Sequence, residues 1–374
     1  MLDKLIQGYY QAAFSAVVGA AALVVLAGGS LAFYPSPEER CNDPRAKYAA
    51  EEGELVVISS IFETPTTQNA HREGFIEHWC LPDDFEIKYE IRNTPGTIQR
   101  IEAEASADLP ISGDVTTMPA ITWFIDARDR GLLMVYDSQE YIHMELPEQI
   151  GLNDRPYWTS DMYMFVPIWN ASCPGMENVE INSWLDLLDP ALEGKMSLLD
   201  GSTQQSVALA YWFLKDKLPE DYWENLAAQD LLISSTSLQS VDMMTSCERP
   251  FSVLGVSADA NVLWSEGATW VRTATPEEGV MLQEQATAIF ADAPHPNAAQ
   301  LWVDFLRSQE GQVIFERQEG RVPGRKGVPS SSPETTPDAD TLFGIAFAPD
   351  YAAMARNPDL VKGAQEEFAS IFLQ

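Results

Sequence analysis

Small polar side chains gather where apolar runs end and helical patterns begin, and these are the residues best placed to do chemistry. Ser59, Ser60 and Thr64 follow one run, Thr116 and Thr117 close another, Ser202 and Thr203 open a helical stretch, and Asp259 and Asn261 follow a fourth run. A helix start offers free N–H groups and a partial positive charge, which suit an oxyanion. Hydroxyls beside it add donors. Asp259 offers the opposite chemistry, a carboxylate for an amine or a sugar hydroxyl. Each residue also has a plain structural use, because Ser, Thr, Asp and Asn cap helices and bond turns.

Other reactive types are sparse. His71, His78, His143 and His295 are isolated. His71 and His78 lie seven residues apart on a helical pattern, which is not a metal-ligand spacing, and both read as surface residues. His295 reads as a structural residue in a turn before a helix. Cys41, Cys80, Cys173 and Cys247 are widely spaced, with no C-x-x-C, so a zinc or redox motif is not supported. Trp123, Trp169 and Trp264 can wall a cleft, although Trp in such proteins is more often core. G-x-S-x-G, H-E-x-x-H, Walker A and G-x-G-x-x-G motifs are all missing from the sequence, and no cofactor is implied. The expectation is a binding protein and not an enzyme.

Charge narrows the partners. The chain carries 56 acidic and 23 basic residues, a formal net charge of -33, which sets it against phosphate backbones and argues against nucleic-acid binding. The acidic residues are scattered, so they form no acidic tail.

The elements that must position these residues alternate between strand and helix. Leu55–Ser59 is a continuous β-branched run, the mark of a strand buried on both faces. A helical stretch from Gln68 to Cys80, the alternating Phe85–Ile91, helical Ile98–Ala107, a short Gly113–Thr117 strand and helical Pro119–Arg130 follow. Further on come strands at Met162–Trp169, Met196–Leu199 and Ser252–Val256, and helices at Gln205–Leu214, Glu220–Ala228, Asn297–Arg307 and Glu310–Arg317. Ala260–Ser265 reads as a helix start, and Val280–Phe290 fits either a strand or a helix. Alternation of this kind argues for a mostly parallel sheet covered by helices. Gly327–Asp340 reads as a loop, Tyr34–Lys47 as a polar linker, and Tyr351–Leu373 as a helical tail interrupted at Asn357-Pro358. Ahead of all this, Leu5–Pro37 has no charged residue, and Ala12–Phe33 is apolar and long enough to cross a bilayer as a helix. Residues 1–37 therefore read as a membrane anchor, with a cleavable signal peptide as the rival. Either way the body is exported, into a space that permits disulfides.

Several phrases resemble the bacterial extracellular solute-binding proteins of the ferric-iron, phosphonate and related small-anion group. They are Gly53–Ser60 (GELVVISS), Gly113-Asp114-Val115, Trp184–Lys195 (WLDLLDPALEGK) leading to Gly201-Ser202-Thr203, and Ala293–Ala299 (APHPNAA) continuing to Gln312. They occur in one order from about Gly53 to Val328. The resemblance implies the two-lobed α/β periplasmic-binding-protein fold, with a hinge, here placed after the apolar segment read as an N-terminal transmembrane helix. One lobe would be Tyr48–Trp169 with Met281–Gln374, and the other Asn170–Val280. A small solute would bind between them, a phosphonate or phosphate ester first, and be passed to an ABC permease in the cytoplasmic membrane. A membrane-anchored ligand sensor or scaffold, and ferric-iron or polyamine binding, are the alternatives. Ferric-binding relatives carry adjacent tyrosines after the fourth run, where this chain has Ala260 and Asn261, which argues against phenolate-bound iron. Four cysteines allow three pairings, and some can be free buried thiols. Cys41 with Cys80 and Cys173 with Cys247 keep each bridge within one implied lobe.

Overall fold

The computed structural model describes residues 35–144, 157–325, 327–332, 335, 336, 342, 344 and 346–373. The expected membrane segment, Ala12–Phe33, lies outside them. Among the described residues no helix is long and apolar enough to cross a membrane.

The stretch read as a linker is helical. Ser36 and Glu39 form a reciprocal capping box on α1 (Pro37–Cys41). Asp43 caps α2 (Pro44–Glu52), and Gly53 ends it with φ at +77°, a backbone that side chains resist. Short local caps, not an apolar stripe, carry these helices, so a periodicity search passes them by.

Next come β1 (Glu54–Ser59), α3 (Pro65–Trp79), β2 (Glu86–Ile91), α4 (Thr94–Ala105), β3 (Val115–Met118) and α5 (Ile121–Asp129). Strand β4 (Tyr157–Asn170) is followed by β5 (Met196–Leu199), α6 (Gln205–Lys215), α7 (Tyr222–Ala227), β6 (Leu232–Ser234), α8 (Ser237–Thr245), β7 (Phe251–Val256), α9 (Ser257–Ser265) and β8 (Val271–Thr273). The chain closes with β9 (Val280–Ile289), α10 (Pro296–Arg307), α11 (Gln309–Glu319), β10 (Ala346–Phe347), α12 (Tyr351–Arg356) and α13 (Pro358–Phe372).

These strands form one mixed sheet in the order β2-β1-β3-β9-β4-β7-β5-β6, with β10 beside β9 and β8 beside β4. The wings β2-β1-β3 and β7-β5-β6 are parallel, as the alternation predicts. The centre is antiparallel, through β3-β9, β9-β4 and β4-β7, because β4 and β9 each run from one wing to the other. Both are buried along their whole length. Their apolar ends sit in the sheet, but their middles are polar: Asp161 faces Gln285, Met162 faces Glu284 and Tyr163 faces Gln283.

One apolar core packs α2, α3, α10 and α11 on β1, around Phe62, Phe75, Trp302 and Phe305. A second runs under β4, β5, β7 and β9. His71 and His78 belong inside the first and not on the surface: His71 is wholly buried, and burial pushes it down to about 4. The tail helix α13 packs on α6 and α7, while α12 packs on α5, so the last segment touches both wings. Cys41 is bonded to Cys80, and Cys173 to Cys247.

Candidate ligand-binding cleft

A cleft of about 790 Å³ opens where the parallel wings end. From one wing it receives Glu63 ahead of α3, Asn93–Pro95 at the start of α4, and Pro119–Thr122 at the start of α5. From the other it receives Thr203–Ser206 at the start of α6 and Ser235–Ser237 at the start of α8. Gln283 of β9 and Tyr351 of α12 complete the wall. Parallel strands point their carboxyl ends one way, so the following helix starts gather at one crevice. A single bond already spans it, with Gln205 Nε2 donating to Thr122 Oγ1 at 3.4 Å.

The helix starts differ in what their caps consume. Asn93 accepts from Gly96 N, and Thr236 from Gln239 N. Neither α5, begun by Ala120, nor α6, begun by Gln204, has a side-chain cap. Their first-turn N–H groups therefore have no side-chain acceptor and stand beside the open cleft.

Of the nine residues expected from sequence, Thr203 alone lines the cleft. Ser59 is buried, donating to Thr117 O at 2.8 Å and accepting from Ile61 N at 3.0 Å. Thr117 is buried against Thr287 Oγ1 at 2.9 Å, and Thr116 is buried in β3. Ser60 accepts from the cleft residue Thr94, while Thr64 caps α3 through Thr67 N. Ser202 and Thr203 both turn their hydroxyls to Asp200, at 2.6 and 3.0 Å. Asn261 is a structural hub, donating to Gly320 O at 2.8 Å and accepting from Thr336 Oγ1 at 2.7 Å. Hydroxyls at the very ends of strands are thus spent within the sheet. The cleft takes residues about one turn further on, which an uncapped helix start such as Gln204-Gln205 can signal. Trp123, Trp169 and Trp264 do not line it. Trp123 gives its indole N–H to Glu102 at 2.9 Å.

Asp259 stands behind the wall, where the cleft residue Ser237 interacts with it. It joins a buried charge cluster. Arg321 Nε lies 3.5 Å from Asp161, Nη2 lies 3.6 Å from Glu319, and the guanidinium sits 5.4 Å from the Tyr163 ring centre. Burial pushes Asp161 and Asp259 up to about 6 and Glu319 up to about 8, against the pull of Arg321. Among the described residues no group of three or more His, Cys, Asp or Glu is placed to hold a metal ion.

Two of the phrases singled out in the sequence are framework. Asp114 accepts from Val56 N at 2.7 Å and His295 N at 2.6 Å, with His295 Nδ1 at 2.9 Å, so GDV and APHP meet in one knot. A family model of bacterial extracellular solute-binding proteins matches residues 82–319. The chain belongs to that family.

Solved structures agree with this solute-binding protein in fold. The substrate-binding protein of an ABC transporter from Agrobacterium tumefaciens matches with TM-score 0.70 and 15% identity, over 85% of this chain and 94% of that one. Iron-bound HitA from Pseudomonas aeruginosa matches with TM-score 0.64 and 15% identity, over 84% and 99%. AfuA from Actinobacillus pleuropneumoniae, with fructose-6-phosphate bound, matches with TM-score 0.64 and 19% identity, over 85% and 98%. At these identities the likeness establishes the α/β fold of periplasmic binding proteins. No curated protein sequence matches the chain.

Proposed function

We propose that this protein is the extracytoplasmic solute-binding component of an ABC-type importer. It captures a small oxyanion, a phosphonate or phosphate ester first, and delivers it to a permease. The observation that carries the solute class is the pair of uncapped helix starts, α5 and α6, facing one cleft from opposite wings. An oxyanion bridging them satisfies N–H groups on both sides and draws the wings together. The wings correspond to lobes of about 48–169 with 281–374, and 170–280, with the tail helices of the first reaching the second. Strands β4 and β9 then form the hinge. Fructose-6-phosphate in AfuA is a precedent for a phosphate ester in this fold. Residues 12–33 tether the body to the cytoplasmic membrane. Hydroxyls, amides and one carboxylate supply the polar groups of the wall, the kinds of group that hold a small polar solute.

The test is a thermal-denaturation screen of the full chain against phosphonates, phosphate esters, polyamines, sugars and Fe(III). At a hundredfold excess over its dissociation constant, the right solute stabilises the fold by about 2.7 kcal/mol. A shift confined to the phosphorus oxyanions supports the reading. A folded protein that shifts with none of these classes sinks it.

A further inference from the structure

Arg307 is the last residue of α10 and is completely buried. Its guanidinium makes one hydrogen bond, with Nη1 donating to Val303 O at 2.8 Å. Nε and Nη2 have no acceptor among the described residues. The carboxylates around it are committed elsewhere. Asp304 accepts from Arg45 at 2.9 Å and from Tyr136 and Ser138 at 2.6 Å each. Glu140 accepts from Arg325 at 2.8 Å, and Arg325 also donates to Arg307 O at 2.9 Å. The guanidinium carbon sits 5.1 Å over the Trp158 ring centre, a contact that eases the charge but offers no lone pair.

A buried guanidinium with free N–H groups is costly unless an anion completes it. Burial pushes Arg307 down to about 9, against the pull of Asp304. The two free groups also form a shape. Nε and Nη2 share one edge of the guanidinium, and their N–H bonds run parallel, a fork that takes two oxygens of one planar anion. Missing charge partner and missing acceptors thus coincide on one edge. Arg307, Trp158, Glu140 and Arg325 do not line the cleft, so this edge serves something other than the solute site.

We infer that Arg307 holds a small planar oxyanion, of the formate, bicarbonate or nitrate kind, through Nε and Nη2, at the junction of α10 with the start of β4. Arg307 has no face open to solvent, so the anion is a structural part taken up as the chain folds. It supplies the charge and both acceptors that the surrounding carboxylates, already bonded, do not.

The experiment refolds the full chain from urea into carbonate-free buffers of equal ionic strength that hold sodium formate, nitrate, chloride or gluconate, and follows the thermal midpoint against salt concentration. Formate or nitrate raises the midpoint saturably, by about 2 °C or more over gluconate, which is too bulky for a closed site, and over chloride, which has no second oxygen for the fork. Ion chromatography of the desalted and acid-opened protein recovers one such anion per chain. Arg307→Lys keeps the charge but lacks the fork, and it loses both the rise and the retained anion. Where that variant does not fold, the anion recovered from the parent decides alone. Equal midpoints in all the salts with nothing retained overturn the inference, and so does a rise that Arg307→Lys keeps. A rise as large in chloride marks screening or a halide site and overturns it too.

Discussion

Glu284 shows how far a single buried carboxylate can govern stability. It is completely buried in β9, where Thr159 Oγ1 donates to its Oε2 at 2.6 Å and Oε1 has no partner. Burial pushes it up to about 8. The folded state therefore keeps a proton that the unfolded chain releases near the ordinary carboxylate value of about 4.3. A raised folded value means stability present at low pH and lost as pH rises through it. Glu319 at about 8 acts in the same sense, and so do Asp161 and Asp259 at about 6. His71, pushed down to about 4, opposes them below the ordinary histidine value of about 6.5. Stability should thus rise as pH falls from about 9 to about 5, with His71 offsetting part of the gain below about 6.5. Urea midpoints across that range measure it, and Glu284→Gln should flatten the upper limb, with its gain in stability largest at pH 9. A variant that tracks the parent at every pH would refute this account.

At the scale of elements, the cleft depends on a contact far along the chain. The Phe368 ring of α13 lies over Gly201, where an added Cβ would come within 2.7 Å of it. Gln365 Nε2 donates to Ser202 O at 3.2 Å, and Lys215 pairs with Glu367. Helix α13 thus braces the turn that launches α6. Phe368 is fully buried, so Phe368→Ala should cost about 3–5 kcal/mol and weaken solute affinity as well. Chemical denaturation and titration of the same variant separate the two effects, and unchanged affinity would show that the brace is irrelevant to the site. Much at this scale was legible in the sequence. LVVIS is the β1 strand, MSLL is β5 without adjustment, and the break at Asn357-Pro358 separates α12 from α13. Ambiguity at Val280–Phe290 had a physical cause: its Gln-Glu-Gln middle breaks both apolar periods, and only pairing with Thr159 and Asp161 makes that polarity at home in a strand. The site was less legible. Ser59, Thr117 and Asn261 suit a cleft by type, yet each is bonded within the framework.

Across the whole molecule, 374 residues carry a net charge of -33, and mutual repulsion weakens any compact state of such charge. Two covalent ties offset part of this. Cys41–Cys80 closes a separation of 39 residues and Cys173–Cys247 one of 74. Removing Cys173–Cys247 by paired Cys→Ser substitution should cost about 2–5 kcal/mol. Comparing denaturation midpoints of the variant and the parent, both under non-reducing conditions, checks it, and an unchanged midpoint would mean that the tie adds nothing.

The path of β9 has a consequence for how the molecule comes into being. Strand β3 is complete by Met118, but its neighbour is β9, and Thr117 waits for Thr287, 170 residues later. On the ribosome or while threading through a translocation pore, the first wing therefore has an open, apolar strand edge for more than a third of the chain's length. Late, non-local pairing of this kind slows folding and exposes the newborn chain to aggregation. Export before folding, with capture of β9 only once residue 289 has emerged, is the order of events that this topology favours.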